Sequence, residues 1–113
     1  MYKKLYERIN YSFKDEDILD LVFTHKSSGK KNNERLEFLG DAILGAVISE
    51  ELYNRFSNIS EGDLTRIRAA LVNGSTLTKK GKELDLLALA KLSKAAKNLS
   101  DLEDSSILGT IFE

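Results

Sequence analysis

One uninterrupted helical pattern, from Glu34 to about Phe56, constrains this chain more than any other feature. At ~100° per residue, Leu36, Leu39, Ile43 and Val47 line one side and Leu44, Ile48 and Leu52 another, so the helix is apolar nearly all round in its middle. Such a helix is expected to be buried on several faces. The stripe that carries Leu44, Ile48 and Leu52 begins in charge: Glu34, Glu37 and Asp41 fall within an arc of about 60° over two turns. Any fold built on this chain has to place a long central helix and to manage three like charges on it.

Solvated carboxylates at this spacing cost a few tenths of a kcal/mol, but in a partly desolvated stripe they need protons, cationic partners or a metal. With no cysteine and a single histidine in the chain, the metal chemistry that fits is a hard divalent cation held by oxygen ligands. A surface acidic stripe paired with lysines satisfies the same spacing, and acidic residues at helical intervals are common on solvated faces. Spacing alone leaves both readings open.

The 113 residues suit one compact domain covering positions 1–113. Apolar residues are 42% of the chain and charged residues 31%, which is a composition for a globular core rather than for disorder. The formal net charge of −1 provides no global attraction to nucleic acid or to an anionic membrane, so a polyanionic partner has to be met by a local patch. Proline is absent, and a proline-free chain rich in Leu, Ala, Lys and Glu points to an all-α fold. The lack of cysteine excludes disulfides, thiolate metal sites and cysteine nucleophiles. The longest apolar run, Ala42 to Ile48, is far short of the ~20 residues that cross a bilayer, and Met1-Tyr2-Lys3-Lys4 lacks a signal-peptide apolar region. A soluble, cytoplasmic protein with no membrane partner is expected.

Along the chain, Tyr2 to Ile9 reads as a first helix. Asp15 caps a second, with Ile18, Leu19, Leu21, Val22 and Phe23 on its buried side and Thr24 and His25 closing it. Lys26 to Asn33 reads as a loop ending in an Asn33 N-cap, followed by the long helix. After a turn at Ser57-Asn58-Ile59, Ser60 and Asp63 resemble a capping box that opens a helix through Leu64, Ile67, Ala70 and Leu71. Asn73-Gly74 breaks that helix and Ser75 caps the next, to about Leu84. A short apolar helix is expected over Leu86 to Leu92, and a last one after Asp104 running into Glu113.

The run Asn33-Glu-Arg-Leu-Glu-Phe-Leu-Gly-Asp-Ala-Ile-Leu44 resembles the signature motif of the ribonuclease III family nearly word for word. The flanks agree in order and spacing. Phe23-Thr-His-Lys-Ser27 resembles the family's LTHxS turn, Ser60 to Val72 its next helix, and Ser106-Ile-Leu108 the start of its last catalytic helix. The resemblance implies an all-helical endonuclease domain that works as a homodimer on double-stranded RNA. It implies Mg²⁺, with Mn²⁺ as a substitute, in hydrolysing phosphodiesters to 5′-phosphate and 3′-hydroxyl ends.

Carried over by position, Glu37, Asp41 and Glu113 match the family's metal ligands, with Asp41 and Glu113 its catalytic carboxylates. Glu34 and Glu61 match residues of the outer shell or of RNA positioning. The family has an aspartate three positions before the final glutamate, and here that position is Thr110. A neutral hydroxyl is a weaker ligand for Mg²⁺ and removes one negative charge. The chain also stops at Glu113, where family members continue through the last helix and usually into a double-stranded-RNA-binding domain, so truncation within that helix and no such domain are expected.

Other residues carry weaker signals. His25, the only histidine, fits a structural hydrogen-bonding role in its turn. Phe38 is either a core residue or, as the resemblance suggests, a dimer-interface knob near the metal site. Gly40 and Gly45 inside a helix suggest close packing of a neighbouring element. Lysines at 26, 30 and 31, at 79, 80 and 82, and at 91, 94 and 97 form patches for which a solvated face is the default. Two functional readings follow: a divalent-metal-dependent endoribonuclease of RNA processing, favoured by the remaining acidic set, or a catalytically impaired dimerisation or RNA-binding domain of the same fold, favoured by Thr110.

Overall fold

The computed structural model describes residues 1–93 and 107–113, and among them the regular structure is all helical, with one isolated parallel bridge between Thr24 and Lys91. Its helices are α1 (Lys3–Ile9), α2 (Glu16–Val22), α3 (Glu34–Arg55), α4 (Glu61–Val72) and α5 (Gly74–Glu83). Short 3-10 turns occupy Lys26–Ser28 and Leu86–Leu89, and residues 107–112 form a terminal helical segment. The expected all-α fold is what forms.

Local chemistry explains where most of these helices start. The Asp15 carboxylate accepts from the Asp17 N–H and opens α2, and the Ser60 hydroxyl accepts from the Asp63 N–H and opens α4, both at the expected positions. Two caps differ from expectation. Asn33 occupies the N-cap position of α3 but does not cap with its side chain; Asn32 Oδ1 accepts from the Glu34 N–H instead. Asn33, only 3% exposed, turns inward and donates to the Val22 carbonyl at 2.8 Å, because a buried amide next to an open carbonyl gains more there than at a solvated helix end. Asn73 rather than Ser75 caps α5, accepting from the Thr76 N–H at 2.9 Å, so one residue both ends α4 and starts α5. The apolar run after Leu86 yields a single 3-10 turn rather than a helix to Leu92, because the chain leaves it in extended form to pair Lys91 with Thr24. The start expected for the last helix lies outside the described residues.

The core gathers at one end. Tyr2, Leu5, Leu19, Phe23, Leu86, Ile107, Leu108 and Ile111 pack as one cluster joining α1, α2, the second 3-10 turn and the terminal segment. Ile18, expected on the buried side of α2, is half exposed, since Leu19 and Phe23 take the inward positions. Tyr2 donates to the Asp20 carboxylate, with its phenol pKa raised by burial first and by that bond second, while Lys91 Nζ lies 3.6 Å from the same carboxylate. His25 is structural, as expected: its Nδ1 accepts from the Ser27 N–H at 3.1 Å, and Ser27 Oγ accepts from the Ser93 N–H at 3.0 Å. The exposed lysines at 26, 30, 31, 79, 80, 82 and 91 fit the solvated reading, and Lys94 and Lys97 lie outside the described residues.

The α3–α4 hairpin projects from this core, and here the expectation of a helix buried on several faces fails. Leu52 is the only fully buried residue of α3, and α4 has none. Phe38, Leu39, Ile43 and Val47 are 82, 53, 55 and 59% exposed. Among the described residues no other element covers this side of α3. Gly45 likewise faces open space rather than a packed neighbour.

Candidate active site

The first two turns of α3 meet the terminal segment at a seam. Gly40 lies directly beneath the main chain of Glu113, and a cavity of about 290 Å³ opens there, lined by Glu37, Thr110 and Glu113 together with apolar side chains such as Phe13, Leu36 and Ile43. The segment is held from its other side by Leu108, 1% exposed and packed against Gly81 of α5, and by the buried Ile107 and Ile111. Two distant parts of the sequence thereby bring Glu113 to Asp41, with Glu37 one turn away on the same helix. Glu113 hydrogen-bonds Asp41 and feels the charges of Asp41 and Glu37.

The consequence is a carboxyl that holds its proton. Burial first, then the hydrogen bond and charge of Asp41, then the charge of Glu37, push Glu113 from 4.5 up to about 7. The donors of this cluster are all carboxylate oxygens, which are hard ligands. It therefore fits a divalent cation of the Mg²⁺ type. The donor types suit such a cation, while among the described residues no three His, Cys, Asp or Glu side chains are grouped closely enough to hold one by themselves.

The other expected site residues stand apart. Glu34 opens onto a groove with Lys30, Lys31, Arg35 and Phe38. Glu61 lines the cleft between α3 and α4 with Ser49 and Arg68, and accepts from the Thr65 hydroxyl at 3.2 Å. Thr110 lines the same cavity as Glu37 and Glu113. Sequence reasoning did not single out Arg68, which donates to Ser49 Oγ at 2.9 Å and ties α4 to α3 beside Glu61; no spacing rule marks such a cross-helix bond.

The fold and the site define an all-helical domain with an oxygen-donor carboxylate centre at a helix seam. Residues 15–113 match the Ribonuclease-III-like family, and the chain belongs to that family. Among its relatives, the Ribonuclease 3 of Vibrio cholerae serotype O1 is 46% identical over 110 residues, which is 97% of this chain and 49% of the relative. The Ribonuclease 3 of Marinomonas sp. strain MWYL1 is 46% identical over 113 residues, 100% of this chain and 50% of the relative. The chain thus spans about half the length of the curated relatives it matches. A solved nuclease domain of ribonuclease III from Campylobacter jejuni superposes with a TM-score of 0.92 at 43% identity, covering 99% of this chain and 79% of that one. That structure is described for structural flexibility in a region involved in dimer formation.

Proposed function

We propose that residues 1–113 form the nuclease domain of a divalent-cation-dependent endoribonuclease that cleaves double-stranded RNA in cytoplasmic RNA processing. The observation that carries this reading is the meeting of Glu37, Asp41 and Glu113 at the α3 seam in a chain of the ribonuclease III family. Glu37, Asp41 and Glu113 would hold Mg²⁺, or Mn²⁺ in its place. A bound divalent cation supplies polarisation of the phosphoryl group and neutralisation of charge in the transition state. The chain's own part would be to hold the Glu113 carboxyl against Asp41 across the seam, with Glu37 beside them. Glu34 and Glu61 order the outer shell or position RNA.

The exposed Phe38, Leu39, Ile43 and Val47 support a symmetric homodimer, with Phe38 at the contact. Because Glu37 shares the first turns of α3 with Phe38, such a dimer brings two carboxylate sites to one interface. Cleavage of a labelled RNA duplex, leaving 5′-phosphate and 3′-hydroxyl ends, abolished by Asp41→Asn and by chelation, tests the reading. A second reading rests on Thr110, which borders the cavity where the family places an aspartate. On it the chain is a catalytically impaired dimerisation or RNA-binding domain, and the duplex is bound but left uncut.

A further inference from the structure

We propose that Gly40 is a positioning residue for the carboxylate site: its bare Cα is the notch that receives the main chain of Glu113, and the notch sets how closely the Glu113 carboxyl approaches Asp41. The inference rests on the reading of Glu37, Asp41 and Glu113 as a divalent-cation site. A Cβ placed on Gly40 would stand 2.6 Å from the Glu113 carbonyl carbon and 3.6 Å from its Cα. Those atoms are backbone, so no rotamer change relieves the clash.

The strain has one place to go. Near Gly40, the start of α3 is anchored by Asn33, 3% exposed and bonded to the Val22 carbonyl at 2.8 Å. The terminal segment is fixed upstream, where Leu108 is 1% exposed and its Cβ lies 3.0 Å from the position a Cβ on Gly81 would take. The clash falls on the main chain of Glu113 itself, so the displacement falls there, and moving it separates its carboxyl from Asp41. A glycine inside a helix lowers helix stability, so a structural reason for it is required. Gly45, on the same helix, supplies the contrast, because a Cβ there meets nothing within 4 Å.

The test compares Gly40→Ala, Gly45→Ala and Glu113→Gln with the parent, using Mg²⁺ alone in calorimetric titration and circular dichroism for the fold. Disturbing the residues that orient metal ligands typically costs about 10–100-fold in metal affinity, so Gly40→Ala is expected to keep its helicity and bind Mg²⁺ at least about tenfold more weakly. Gly45→Ala should bind as the parent does. In duplex cleavage Gly40→Ala lowers kcat and leaves KM unchanged, which a general loss of stability does not do. Parent-like Mg²⁺ binding by Gly40→Ala, with Glu113→Gln clearly weakened, overturns the proposal and spares the cation site. Parent-like binding by Glu113→Gln overturns the cation site and the proposal with it. If Gly40→Ala does not fold, the Gly40→Ala/Gly45→Ala double variant, gaining helix propensity at 45, carries the same comparison. Failure of both to fold also overturns the proposal, by assigning Gly40 to the frame of the domain rather than to the placement of Glu113.

Discussion

The carboxyls of Asp41 and Glu113 are hydrogen-bonded across the seam between α3 and the terminal segment, one from the middle of the chain and one from its last residue. A pair of acids in contact shares protons, and the stability of the protein depends on whether it has them. In the unfolded chain Glu113 titrates near 4.5, and in the folded chain near about 7. The folded state therefore binds this proton more tightly. Its contribution to stability is complete below about pH 4.5 and is lost as pH rises through about 7. Thermal unfolding of metal-free protein across this window should show a stability loss that Glu113→Gln flattens; the same slope in the variant would assign it to other groups.

Divalent cations should act on the same cluster from the other side. A cation that binds only the folded state raises the melting temperature by mass action, by about 2.7 kcal/mol of stability at ~100 times Kd. Millimolar Mg²⁺ or Mn²⁺ should raise the Tm of the parent by several degrees, and Asp41→Asn or Glu37→Gln should remove most of the shift. No shift in the parent would leave the three carboxylates as a proton-sharing surface cluster.

The uncovered face of α3 predicts association. At tens of micromolar, sedimentation should give twice the mass of one chain, and Ile43→Asp, which puts a charge at the centre of the exposed apolar face, should return it to one. Phe38→Ala should weaken the dimer by about 1–4 kcal/mol, the range for truncating an interface anchor. A parent mass equal to one chain rejects the interface.

Thr110 makes the activity itself testable. Weak, metal-dependent cleavage of long RNA duplexes is expected, faster with Mn²⁺, whose coordination tolerates altered ligands better. Thr110→Asp should increase the rate by restoring a hard oxygen donor and one negative charge beside Glu113, while Asp41→Asn abolishes it. If Thr110→Asp is as inert as Asp41→Asn although folded and dimeric, the side chain at 110 is not what limits the reaction.

The cap assignment separates two adjacent candidates. Asn73→Ala removes the acceptor of the Thr76 N–H and should cost about 1 kcal/mol, whereas Ser75→Ala should stay within about 0.5 kcal/mol of the parent. Urea unfolding distinguishes the two. Equal effects would mean that the junction is not capped through Asn73.

The sequence by itself determined the class of the fold, the course of α3, the caps at Asp15 and Ser60, and membership of the ribonuclease III family through the run from Asn33 to Leu44. These are legible because periodicity and capping act within one or two turns, where neighbours in sequence are neighbours in space. The same rules misread Asn33, Ser75 and Gly45, whose roles depend on a carbonyl, a competing cap and an empty space contributed from elsewhere. The resemblance grouped Glu113 with Asp41 and Glu37, but only tertiary structure decided how a distant segment carries Glu113 to Asp41, that Glu34 and Glu61 line other grooves, and that no described element covers the apolar side of α3. A helical repeat fixes only the angles between side chains on one helix. Which sector meets a partner is set by how closely a distant backbone approaches, and at this seam that approach is possible because residue 40 has no side chain.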